Sequence, residues 1–199
     1  MKKYNIVKYN FPKSSIKHFY TFGEKNMKMV AKFFKYEDKY FYTPFIEKII
    51  VLTQTDLKSA SFNLWLYETD DKGMPNILIN ESGIICKAYE GKTYTVVDIM
   101  DLKIRFPSQG IFTAIEWLEI NENEYSFFYR YRGKGEKCIG SIIEPSVGAY
   151  PSTQGDTVIL GENGWRKNEI EKSILPRYKN KFHNLSIEFE LSDCKNNIK

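Results

Sequence analysis

An all-β fold, two antiparallel sheets packed as a jelly-roll-like sandwich, is what the sequence predicts, on three observations. Aromatic residues make up 16% of the 199-residue chain, with 14 Tyr and 14 Phe, and aromatic side chains favour the pleated, half-buried surface of a strand. Apolar residues recur with a period of two in short runs, whereas the i, i+3, i+4 spacing of an amphipathic helix is scarce. Between the runs stand Gly, Pro, Asn and Asp, at intervals of roughly 8 to 15 residues, which is the rhythm of a sandwich or barrel and not of alternating βα units. Helix content is expected to stay below about 10%.

The runs follow one another in order. Met27, Met29, Ala31 and Phe33 alternate with Lys28, Val30, Lys32 and Phe34, and Ile46 to Leu52 is an apolar, β-branched run after Pro44. Ser61 to Tyr67 turns Phe62, Leu64 and Leu66 one way and Asn63, Trp65 and Tyr67 the other. A polar turn carrying Gly73 and Pro75 leads into Ile77 to Lys87, and a turn at Glu90 and Gly91 precedes Thr93 to Ile99. Leu102 to Phe106 ends at Pro107, and an apolar strand is expected from Ile111 to Ile120. Tyr125 to Arg132 and Lys137 to Ile143 flank Gly133 and Gly135, while Thr157 to Leu160 and Trp165 flank the hairpin turn from Gly161 to Gly164. Near the C-terminus Leu185, Ile187, Phe189 and Leu191 alternate with Ser186, Glu188 and Glu190, a strand with one face in water. Only Lys167 to Ile174 suits a helical turn or two. The expected core is Ile49, Val51, Phe62, Leu64, Leu66, Phe112, Ala114, Ile187 and Phe189.

The length suits one domain over residues 1 to 199, with 1 to 25 a lead-in or an edge strand and 195 to 199 a frayed tail. Charge is balanced at a net +4, so composition does not indicate a nucleic-acid partner. The stretch Arg130, Arg132, Lys134 and Lys137 lies beside aromatics but reads as a solvated hairpin. Cys86, Cys138 and Cys194 are too few and too scattered for a disulfide scaffold and are expected to stay thiols. No apolar run reaches the roughly 18 residues of a spanning helix, and Lys8, Pro12, Lys13 and Lys17 interrupt what would be the core of a leader, so neither a transmembrane segment nor a signal peptide is expected.

Motifs for chemistry are sparse. His18 and His183 have no neighbouring nucleophile motif and read as ordinary surface or strand-end residues. Glu116 and Glu119 stand three apart on a strand, so they point to opposite faces and cannot by themselves form the carboxylate pair of a glycosidase. Asp70, Asp71 and Asn76 lack the order of a calcium loop and read as a solvated turn; no metal and no cofactor is expected. Trp65, Trp117 and Trp165 read either as core or as sugar-stacking platforms.

Five features in order carry a resemblance: the run Leu64, Trp65, Leu66, Tyr67 and Glu68; then Gly73, Met74 and Pro75; then Asn76 to Glu81; then Val97, Asp98 and Ile99; then Phe112 to Glu119. Together they resemble a β-sandwich domain of Bacteroidetes envelope proteins that often follows a carboxypeptidase-regulatory-like domain. Gly164, Trp165, Arg166 and Lys167 are similar to that family's closing Gly-x-Trp motif, and the resemblance spans residues about 27 to 168. It implies a non-catalytic, extracytoplasmic module and carries over no functional residues; the upstream domain and a leader are not seen here.

The one site the residues themselves suggest is the alternation that sends Tyr125, Phe127, Tyr129 and Tyr131 to one face of a strand and Ser126, Phe128, Arg130 and Arg132 to the other. Turned inward, that face must find partners for three hydroxyls. Turned outward, it is a strip of rings about 7 Å apart for a sugar chain or a peptide. Two function classes follow. The first is a non-enzymatic cell-envelope module that binds a glycan or a protein or serves as a spacer; the second is a carbohydrate-active enzyme whose site residues meet only in space.

Overall fold

The computed structural model describes residues 4–8, 11–23, 26–130, 137–170 and 173–193. Among them there is no α-helix, only short 3-10 turns, and no helix is long and apolar enough to cross a membrane. Every strand pairing is antiparallel, so the all-β, antiparallel expectation holds, in a form consistent with a β-sandwich.

The frame is one long bent hairpin. Strand β4 (Phe45–Thr69) and strand β6 (Ile84–Asp98) pair from Lys48 opposite Asp98 to Leu64 opposite Ile84, with a register shift between Thr55 and Ser59. Short β5 (Pro75–Leu78) continues that edge of β4. Along its other edge β4 changes neighbours. Phe45 to Val51 pair with β14 (Ile187–Ser192), whose far edge holds β1 (Tyr4–Val7), while Phe62 to Glu68 pair with β7 (Ile111–Trp117). From β7 the sheet continues through β3 (Met29–Phe34) and β11 (Thr157–Gly161) to β12 (Gly164–Lys167). Where β14 leaves β4, β10 (Ser146–Ser152) enters, pairing with Thr53 and Gln54 and then with β13 (Phe182–Leu185) on that edge and β2 (His18–Tyr20) on its other. One hairpin thus serves both layers, and the layers meet where the Phe34 ring of β3 stacks on Phe189 of β14 with centroids 4.1 Å apart.

Alternation decides what lies between the layers. Val30 and Phe34 join Ile49, Val51, Leu64 and Phe189 in the main core, whereas Met29 and Ala31, one residue out of phase, pack with Phe112, Ala114 and Val158 on the other face of the same sheet. All nine residues expected in the core are buried.

Several boundaries differ from the sequence reading. Ile46 to Leu52 and Ser61 to Tyr67 are one strand, because Thr53 to Ala60 contains neither Gly nor Pro and nothing ends the pairing. Gly91 does not turn the chain: at φ 84° it sits inside β6 beside the register shift. The run from Ile77 to Lys87 is divided by a bend between β5 and β6, and Leu102 to Phe106 makes only a single bridge from Arg105 to Phe45. Asn168 to Ile170 is irregular, and residues 171 and 172 lie outside the described residues. Both N-terminal segments, β1 and β2, are edge strands.

The bend of the hairpin is held by Glu144. Its Oε2 accepts hydrogen bonds from the Thr55 hydroxyl, from the Asp56 amide at 2.9 Å and from the Leu57 amide at 3.3 Å. The carboxylate therefore supplies the acceptor that the ladder gives up at the register shift. Glu144→Ala is expected to lower unfolding free energy by about 3 kcal/mol, since it leaves the buried Thr55 hydroxyl and two part-buried amides without their charged acceptor. Urea unfolding checks this, and a loss under about 1 kcal/mol would mean that the bend holds without the carboxylate.

Candidate functional site

The expected strip lies on a ribbon of its own. Strand β8 (Glu124–Arg130) pairs with β9 (Lys137–Ile143) over seven registers without a shift, and among the described residues this two-stranded sheet bonds to no other strand. Its root is fastened by buried Asn123, whose Oδ1 accepts from the Ser61 amide at 2.8 Å while Nδ2 donates to the carbonyls of Ser61 and Leu118. The Glu144 amide donates to the Asn123 carbonyl at 2.9 Å, which ties the end of β9 to the start of β8.

Opposed residues on antiparallel strands share a face. One face of the ribbon carries Tyr125 opposite Ile142, Phe127 opposite Gly140 and Tyr129 opposite Cys138. Tyr125 and Phe127 are near-parallel, 20° apart with centroids at 6.4 Å, and Phe127 and Tyr129 follow at 6.1 Å. Gly140 sets their attitude. A Cβ there would stand 3.0 Å from Cζ of Phe127 and 3.3 Å from Cε1 of Tyr129, so both rings lie across β9 over bare backbone. None of the three belongs to the buried core: Tyr125 and Phe127 are half-buried and Tyr129 is exposed. The strip is thus a surface feature, and Tyr131, its fourth expected member, lies outside the described residues. The opposite face is exposed as well, with Phe128 at 64%, Ile139 at 69% and the Lys137 ammonium 4.0 Å from the Phe128 ring centroid.

A second polar constellation was not anticipated. Lys32 shares the inward face of β3 with Val30 and Phe34, and its Nζ donates to Tyr150 Oη at 3.1 Å and to the carbonyls of Leu185 and Ile187 at 3.1 and 3.4 Å, with Asp156 Oδ2 3.9 Å away. Burial pulls the lysine down to about 8 and raises the Asp156 carboxyl, so desolvation outweighs the attraction between them. Lys32, Tyr150 and Asp156 line a cleft of about 790 Å³ together with Phe33, Asn168, Asn184 and the outer lysines Lys8, Lys35 and Lys167. The signal was present in the alternation: one cation on an otherwise apolar face.

The histidines are not surface residues: His183 is buried and His18 half-buried. His18 on β2 and His183 on β13 bring their rings to 4.3 Å, beside Tyr20 and Tyr178, because both strands pair with β10 at Ala149 or close to it. Glu116 accepts hydrogen bonds from Trp65 Nε1 at 2.7 Å and Asn63 Nδ2 at 3.0 Å. Trp117 is buried and donates to the Pro145 carbonyl, whereas Trp65 and Trp165 are half-buried over the outer cluster. Asp70 Oδ1 accepts from the amides of Lys72 and Met74, a closed turn. Among the described residues no three His, Cys, Asp or Glu are grouped to hold a metal. Cys86 and Cys138 are free thiols, burial pushing Cys86 up to about 12, and Cys194 lies outside the described residues. Comparison of the chain with protein-family models, with curated proteins and with solved structures gave no match.

Proposed function

We propose that this chain is a non-catalytic β-sandwich module of the cell envelope that binds a glycan across the rings of Tyr125, Phe127 and Tyr129. One observation carries the reading: Tyr125, Phe127 and Tyr129 form a continuous row of rings, the first two near-parallel and the last two seated over Gly140, at the face of a ribbon outside the core. Flat rings stack on the apolar faces of sugars, and tyrosine hydroxyls at their margin suit a ligand rich in hydroxyls. The envelope placement is supported by the resemblance in residues 27 to 168.

A glycan array on the wild type, followed by titration of its best ligand into variants, tests this. Tyr129→Ala and Phe127→Ala are each expected to weaken binding about tenfold or more, while Gly140→Val, which removes no ring but lifts two, is expected to weaken it comparably. Stability of Tyr129→Ala and Gly140→Val should stay within about 1 kcal/mol of wild type in urea, since both positions lie outside the core. A wild type that binds no glycan, or a Gly140→Val protein that binds unchanged, would overturn the reading.

A further inference from the structure

The same ribbon has an unused edge. Strand β8 has β9 on one side and, among the described residues, no strand on the other. A two-stranded ribbon is marginal in water by itself, and exposed edges are ordinarily blunted by proline, a bulge, an inward charge or a covering loop. Here β8 contains no proline, its register runs unbroken, and large apolar side chains stand on both faces. The edge is built to be paired.

Its residue order names the partner. Read as Glu124, Tyr125, Ser126, Phe127, Phe128, Tyr129, Arg130, the strand is complementary to itself run backwards. We infer that two copies of this chain join edge to edge through β8, about a twofold axis at Phe127, to make a four-stranded antiparallel sheet with β9 on each outer side.

In that register Glu124 of each copy stands opposite Arg130 of the other, on the face that also carries Ser126 and Phe128, and both charges are exposed and at hand. On the other face Tyr125 meets Tyr129 and Phe127 meets Phe127, so two rows of three rings become one field of six. A shift by one residue would set Tyr125 against Arg130 and Ser126 against Tyr129, and a shift by two would carry Glu124 or Arg130 past the end of the partner's β8, so only this register pairs all seven strand positions with one another. The isologous symmetry closes the assembly at two copies. The outer edge of β9 offers no such match, because Lys137 to Ile143 contains no acidic residue. Edge pairing leaves the aromatic face open, so the inference stands apart from the glycan reading.

Charge reversal tests it on the full chain. Sedimentation velocity across a wide concentration range is expected to show the wild type in monomer–dimer equilibrium. Arg130→Glu and Glu124→Lys should each weaken the dimer at least about tenfold, because each turns two attractive pairs into two repulsive ones. The double variant, Glu124→Lys with Arg130→Glu, should return to within about threefold of wild type, because it restores both pairs with their signs exchanged. Urea unfolding at low concentration shows that each variant is folded. A wild type that stays monomeric overturns the inference, as does a dimer indifferent to the single reversals or one that the double variant fails to restore.

Discussion

Phe189→Ala is expected to cost about 3–5 kcal/mol of unfolding free energy, the range for removing a fully buried aromatic ring. The ring stacks on Phe34 at 4.1 Å and meets Phe106 edge-on at 5.9 Å, so it belongs to both layers at once. Its neighbours are held on both sides, β3 between β7 and β11 and β14 between β1 and β4, which limits how far they can collapse into the space left behind. Urea unfolding with an unchanged slope is the measurement. A loss under about 1 kcal/mol would show that the layers are not joined through this contact.

A rise in stability with pH is expected from Lys32. Its folded value is lowered from 10.5 to about 8, so between those two values the unfolded chain binds more protons than the folded one. Stability therefore increases with pH across that window, by on the order of 3 kcal/mol for this group, whereas below the lower value the cost of burying the cation is present in full. Lys32→Met removes the component. The difference in unfolding free energy between wild type and variant should accordingly grow in favour of the wild type from pH 8 to pH 10.5. A difference that stays level would mean that the ammonium is not desolvated.

The alternation within each run made the fold class and the core legible, because burial of one face is a local property of a strand. Ile49, Val51, Leu64 and Phe189 needed nothing beyond their own neighbours in sequence. What failed was whatever depends on residues brought from elsewhere. The polar stretch from Thr53 to Ala60 reads as a gap between strands, yet Thr53 and Thr55 are buried there because Thr95 and Glu144 supply their hydrogen bonds. The same division applies to the site. Rings at 125, 127 and 129 were visible as a periodic row, but the seat of the last two across β9 belongs to Gly140 on the facing strand, which only the register reveals. The histidine pair was hidden for the same reason, since β10 alone brings His18 and His183 together.

Strand β14 lies between β1 and β4, and those two are linked to one another only through it. A ribosome makes all the other strands described here before it makes β14. Until then the growing chain keeps an open slot, with the inner edges of β1 and β4 bare and the apolar positions of Ile49 and Val51 lacking the cover of Ile187 and Phe189. Contacts that join segments so far apart in the chain form slowly, so closure of the slot is the natural last event of folding. The nascent protein is therefore most exposed to foreign strands, helpful or harmful, in the interval just before β14 arrives.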